Sequence, residues 1–191
     1  MIDKKFLEHL KEDYTANEKE RRQIISASNG ILFEAKKIIF AIQRQDLKTA
    51  TEKLAALESE FKSLEKRFGI DRLRKEGAYK AAAEEYLEGK TLFLVIKKKP
   101  ITKIDGTAFD YEAYLGGICD LIGELVRYAT NQAAKGKFSE VSKIKKAADD
   151  IMVQLVDFDM TGYLRTKYDQ ARGHLRKLEQ MAYEIRLKTG K

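Results

Sequence analysis

The chain has 191 residues, enough for one well-buried domain and short for two. Its single cysteine, Cys119, excludes a disulfide framework or a cysteine-based zinc site within one chain, and two distant histidines, His9 and His174, do not make a zinc site alone. A net charge of +7, from 37 basic and 30 acidic residues, leans towards a polyanionic partner, with nucleic acid ahead of an anionic membrane. No apolar run reaches the roughly 18 residues of a membrane span. The start, Met1-Ile2-Asp3-Lys4-Lys5, lacks the apolar core of a signal peptide, so a cytoplasmic protein without a membrane partner is expected. There is one proline, Pro100, amid abundant Ala, Leu, Lys and Glu. Helix interiors exclude proline, so the expected fold class is all-α, a bundle of six or seven long helices in one domain over 1–191.

From about Asp3 to Gln43 the pattern is helical and charge-dense. Ile24, Ile31, Ile38 and Ile42 mark one face. Asn29-Gly30 interrupts this run and is expected to kink or break it. Asp46 is an N-cap candidate for a second helix to about Phe68, and Gly69 a C-cap. Asp71 is then expected to cap a third helix, carrying Glu85 and Glu88 and ending near Val95. Ile96 to Gly106 reads as a loop; its Lys97-Lys98-Lys99 run either contacts phosphate or is simply solvated. Asp110 is expected to cap a fourth helix closing near Gly136, Ser139 a fifth reaching about Phe158, and Thr161 a sixth running to Leu187.

Two of these helices carry an informative acidic pattern. Glu85 and Glu88 are i,i+3 neighbours within Glu84-Glu85-Tyr86-Leu87-Glu88. Asp120 and Glu124 are i,i+4 neighbours within Gly117-Ile118-Cys119-Asp120-Leu121-Ile122-Gly123-Glu124. On facing helices the two pairs would gather four hard oxygen ligands, a set suited to Mg²⁺ or Mn²⁺. The second helix continues the stripe through Arg127 and Asn131. Beside it, Leu115, Ile118, Ile122, Leu125 and Ala129 form a packing face. Gly116, Gly117 and Gly123 each cost roughly 1 kcal/mol mid-helix; close helix approach or access for a bulky substrate would account for them. The plainer reading is that these acids are solvated or sit in weak surface ion pairs, as most charges of a 35% charged chain do.

At these residues the chain resembles the translin family, and within it the branch of translin-associated factor X (TRAX). Tyr111-Glu112-Ala113-Tyr114-Leu115-Gly116-Gly117 through Glu124-Leu125-Val126-Arg127, then Asn131, is the most specific match. Lys19-Glu20-Arg21-Arg22 with Glu34-Ala35-Lys36-Lys37, the Glu84–Glu88 segment, and the run from Tyr168 to Arg186 are similar to other helices of the family. The resemblance implies an all-α fold, assembly into a closed octameric shell, and binding of single-stranded RNA, with single-stranded DNA as a second ligand. TRAX subunits are the catalytic members, Mg²⁺-dependent endoribonucleases. Glu85, Glu88, Asp120 and Glu124 match their acidic positions, and translin itself lacks the aspartate at the position of Asp120. Loops longer in animal TRAX proteins have no counterpart in the compact segment after Ile96.

The resemblance therefore implies that Glu85, Glu88, Asp120 and Glu124 are catalytic and hold Mg²⁺, with Mn²⁺ as an alternative. Arg127, one turn beyond Glu124, either grips a phosphate oxygen or forms a salt bridge to Glu124. Arg21, Arg22, Lys36 and Lys37 are candidates for the RNA backbone, against a solvated helix face. Tyr79, Tyr86 and Tyr128 are candidates for base stacking, against core packing. The alternatives to an endoribonuclease are a non-catalytic nucleic-acid-binding shell of the translin type and a coiled-coil-like scaffold. A translin-like partner subunit remains open beside a homo-oligomer.

Overall fold

The computed structural model describes residues 2–189; Met1, Gly190 and Lys191 lie outside the described residues. Seven helices follow one another: α1 (Lys4–Gln43), α2 (Leu47–Phe68), α3 (Ile70–Leu73), α4 (Gly77–Ile96), α5 (Tyr111–Ala134), α6 (Phe138–Leu155) and α7 (Gly162–Thr189). No strand occurs among the described residues. The all-α expectation holds.

The bundle is built around α4, which packs between α1 and α5. α2 packs on α1 and also reaches α4, while α6 and α7 cover α5. The isoleucines of α1 supply one wall of the core: Ile24, Ile31, Ile38 and Ile42 are fully or almost fully buried. They recur at seven and four residues because one helical stripe faces inward. Phe61, Tyr79, Tyr86 and Phe109 meet ring to ring, with centroids 4.8–5.8 Å apart. All three candidate stacking tyrosines, Tyr79, Tyr86 and Tyr128, are buried, so they serve packing and offer no face to a base.

Caps set several boundaries. Asp46 accepts from the Thr49 amide and Asp110 from the Ala113 amide, starting α2 and α5 where the sequence places them. Gly69 ends α2 at φ 76°, a left-handed position that glycine adopts without strain. Three expectations differ from the structure. Asn29-Gly30 does not break α1, which runs unbroken through it. Ser28 and Ile31 are buried on either side, so packing outweighs the cost of one exposed glycine. Asp71 does not cap the helix of Glu85 and Glu88; it lies in the one-turn α3, and α4 restarts after Glu76. The Arg72–Glu76 ion pair at 2.6 Å and buried Leu73 hold that corner. Ser139 does not cap α6 either. Gly136 at φ 70° turns the chain, and α6 begins at Phe138 without a side-chain cap. Thr161 does stand immediately before α7, where its carbonyl accepts from the Arg165 amide.

Between α4 and α5, residues 97–110 form the expected loop. Ile104 and Phe109 anchor it in the core, and the Ile104 amide donates to the Tyr114 hydroxyl at 2.8 Å. Lys97, Lys98 and Lys99 stay exposed. No described helix is long and apolar enough to cross a membrane.

Candidate active site

The site exists because α4 and α5 touch backbone to backbone. A Cβ on Gly117 would lie 2.9 Å from the Glu84 carbonyl oxygen and 3.0 Å from the Glu88 nitrogen. A Cβ on Gly116 would overlap the Glu84 carboxylate. The paired glycines thus let the acidic turn of α4 lie against α5. Gly89 of α4 lies less tightly on side chains of α1, where a Cβ would meet Ile39 at 3.3 Å and Ile38 at 3.4 Å.

This approach brings Glu85 and Glu88 of α4 together with Asp120 and Glu124 of α5. All four are half-buried. Burial pushes the Glu88 carboxyl up to about 9, reinforced by the charges of Asp120, Glu85 and Glu124. Burial also raises Glu85, against the opposing charge of Lys36 and with the help of Asp120 and Glu124. Asp120 is raised by burial despite its bond to a lysine. Glu88 feels the charges of Glu85, Asp120 and Glu124, and Glu85 those of Asp120 and Glu124, so these acids oppose one another's ionisation.

Groups from α1 and α7 hold this cluster. Lys167 of α7 bridges Asp120 and Glu84, the latter at 2.8 Å. Burial alone would lower the Lys167 ammonium, but its bonds to Asp120 and Glu84 outweigh that and keep it charged. Tyr163, one turn earlier, donates its hydroxyl to Glu84 at 2.7 Å. Gln43, at the end of α1, donates its side-chain nitrogen to both the carboxylate (2.7 Å) and the backbone carbonyl (3.0 Å) of Glu124. Asn131 in turn donates to the Gln43 carbonyl at 3.1 Å. A cavity of about 680 Å³ opens beyond Glu84 and Tyr163, towards the starts of α4 and α5.

The basic candidates are distributed unevenly. Arg127 is exposed and reaches Glu124 at 3.4 Å, at the mouth of the cluster. Lys36 projects from α1 close enough to act on Glu85. Lys37 pairs with Glu34 at 2.6 Å. Arg22 is exposed 14 residues before Lys36, about 21 Å away along a helix rising 1.5 Å per residue. Arg21 is farther still and pairs with Glu76 (3.4 Å) and Glu18 (3.6 Å). The structure joins Lys36 and Arg127 to the acids and sets Arg21 and Arg22 apart.

Sequence reading missed Glu84 as a participant, and with it Lys167, Tyr163, Gln43 and His174. Tyr163, Lys167 and His174 follow at four and seven residues, one face of a helix, and that spacing was a usable signal. His174 lies against Gly123, where a Cβ would meet its Nε2 at 3.3 Å, and it opposes the rise at Asp120. Gln43 gave no local signal, because its partner is 81 residues away.

The donors suit a hard divalent cation in kind, all being carboxylate oxygens on adjoining turns. Among the described residues, however, no three acidic, histidine or cysteine side chains are arranged to hold one ion as they stand. Lys167 already supplies the positive charge at Asp120. The set therefore fits Mg²⁺ in chemistry, and Lys167 must give up Asp120 for a cation to take its place.

The translin family model matches residues 19–189. The crystal structure of apo-NeC3PO superposes with a TM-score of 0.81 at 25% identity, covering 96% of this chain and 97% of that one. AfC3PO superposes with a TM-score of 0.87 at 19% identity over 97% and 99% of the two chains. The structure of the AfC3PO–duplex RNA complex gives 0.84 at 19% over 96% and 97%. No curated protein matches the chain.

Proposed function

The chain belongs to the translin family, and on that premise we propose that it is a metal-dependent endoribonuclease of the TRAX-like branch, acting in the cytoplasm on RNA with single-stranded character. The observation that supports this reading is the gathering of Glu85, Glu88, Asp120 and Glu124 at the glycine-lined crossing of α4 and α5. These four carboxylates would hold Mg²⁺, or Mn²⁺ in its place, once Lys167 gives up Asp120. The chemistry such an ion would supply there is Lewis-acid stabilisation of phosphate charge and a more acidic water. Gln43 fixes the Glu124 carboxylate, and Asn131 fixes Gln43. Arg127, exposed beside Glu124, binds a phosphate oxygen of the strand. The subunit works within a homo-oligomer, most simply an octamer, and a translin-like partner subunit is compatible with the same surfaces.

A second reading is favoured by one observation. Lys167 bridging Asp120 and Glu84 already supplies a positive charge beside the acids, which suits a non-catalytic protein that binds single-stranded RNA or DNA. AfC3PO has a structure in complex with duplex RNA, so binding alone does not distinguish the two. The deciding experiment is cleavage of a labelled single-stranded RNA with Mg²⁺, with Mn²⁺ and with EDTA. Metal-dependent cleavage is expected. Binding without cleavage under all three conditions selects the second reading.

A further inference from the structure

Two phenylalanines stand outside the core on α1. Phe33 is 61% exposed and Phe40 48%. They are seven residues apart, which is two helical turns, so both project from the same face about 10.5 Å apart. Each ring lies under a cation of its own helix: the Lys37 ammonium is 4.2 Å from the Phe33 centroid and the Arg44 guanidinium 4.3 Å from that of Phe40. The outward stripe of α1 thus reads Arg22, Phe33, Lys36, Lys37, Phe40, Arg44. No carboxylate interrupts it; Glu34, beside it, is turned to Lys53 of α2 as well as to Lys37.

The stripe leads into the site. Phe40 and Arg44 line a groove of about 450 Å³ whose other walls include Gln43, Arg127, Asn131 and Lys135. Gln43 and Arg127 both reach Glu124. Lys36, between the two rings, acts on Glu85. One continuous surface therefore runs from an aromatic and cationic track to the acidic cluster.

We propose that this face of α1 is a track for unpaired RNA, with Phe33 and Phe40 stacking on bases while Lys36, Lys37, Arg44 and Lys135 take the phosphates. The proposal rests on the reading of the protein as an RNA-acting one and adds how unpaired strand is recognised. Rings interleaved with cations suit a single strand, because every base offers a π-face and every linkage a negative charge. Stacked bases repeat at about 3.4 Å per nucleotide, so rings about 10.5 Å apart serve bases about three nucleotides distant. A duplex keeps its bases inside and leaves both rings unused. An interface with another copy is the rival use of an exposed ring, but interface centres are depleted in charge and this stripe is rich in it.

The test uses the full chain and the variant Phe33→Leu/Phe40→Leu. Leucine keeps apolar bulk and helix propensity on an exposed face, so the fold is preserved. Binding is measured for labelled oligoadenylate and for an abasic strand of equal length, over a salt series, with mass followed by light scattering. The wild-type protein is expected to prefer oligoadenylate. The variant is expected to lose roughly tenfold in affinity per ring for it and to bind the abasic strand as before. Its salt slope is expected to stay unchanged, because no cation is removed. Equal affinity of variant and wild type for oligoadenylate, no base preference in the wild type, or a changed oligomeric mass in the variant each overturns the track. Base-dependent binding in a protein that never cleaves leaves the track standing and removes the nuclease reading; cleavage with no effect of the rings does the reverse.

Discussion

At the scale of single residues, charge decides more than size. Asp120 has two tasks: it is one of four clustered carboxylates, and it holds Lys167. Asp120→Asn keeps the volume and removes the charge. It is expected to abolish Mg²⁺-dependent RNA cleavage while RNA binding survives, since repulsion of the phosphates falls. Full cleavage activity in the purified variant would falsify the assignment. The acids were legible in the sequence because each pair lies three or four residues apart on its own helix. Lys167 and Gln43 were not, because their roles depend on which helix packs across from them. Glu58 shows the same dependence away from the site. Burial alone would raise its carboxyl, but hydrogen bonds from Lys90 (2.6 Å) and Tyr86 (2.7 Å) outweigh that and hold it below its usual value. A carboxyl depressed in the folded state contributes stability above its unfolded value, near 4.5, and loses it as pH falls through the folded one. Glu58→Gln is therefore expected to lower the melting temperature at pH 7, with the difference from wild type shrinking as the solution is acidified below about pH 4. A difference that is the same at both pH values removes the ionic account.

At the scale of elements, glycine separates two environments that the sequence cannot tell apart. Gly30 and Gly117 both sit inside long helices. A Cβ on Gly30 meets nothing within 4 Å, whereas one on Gly117 meets the backbone of α4 at 2.9–3.0 Å. Gly30→Ala is expected to stabilise by about 0.5–1 kcal/mol, the usual gain where alanine fits the helix. Gly117→Ala makes the same propensity gain, but overpacking typically costs about 1–3 kcal/mol. Here the obstacle is backbone, which cannot swing aside, so the net effect is destabilising and α4 and α5 are pushed apart. Thermal melts of the two variants are expected to move in opposite directions, and a rise for Gly117→Ala ends the close-approach account. The same contrast explains what was readable. Periodicity and the caps Asp46 and Asp110 located α1, α2 and α5. The corner after α3 was not readable, because it is held by the Arg72–Glu76 pair and buried Leu73, and not by proline or glycine. The continuity of α1 across Asn29-Gly30 likewise comes from packing that no local pattern records.

At the scale of the whole molecule, α1 is longer than the bundle it serves. Residues 2–17 are all exposed, and among them Ile2, Phe6, Leu7, Leu10 and Tyr14 are large and apolar. Phe6, Leu10 and Tyr14 recur at intervals of four, which puts them on one side of the helix. A helix segment with no tertiary partner is marginal in water, so this stretch implies a covering surface. Fully burying such a side chain stabilises by about 1.5–3 kcal/mol. Five of them together are comparable with the roughly 4–15 kcal/mol that association costs. That balance is too close for one isolated pair to be tight. A closed ring repeats the interface and leaves no stripe uncovered, so closed symmetric assembly is the expected outcome. Light scattering on the full chain at micromolar concentration is expected to give a homo-oligomer, with an octamer as the leading candidate. Replacing Phe6, Leu10 and Tyr14 together by glutamine leaves the core from Ile24 onward untouched, since none of the three packs against it. That variant is expected to keep its helicity and to dissociate into smaller species. A monomeric wild-type protein, or a variant of unchanged mass, means that the free end of α1 does not drive assembly.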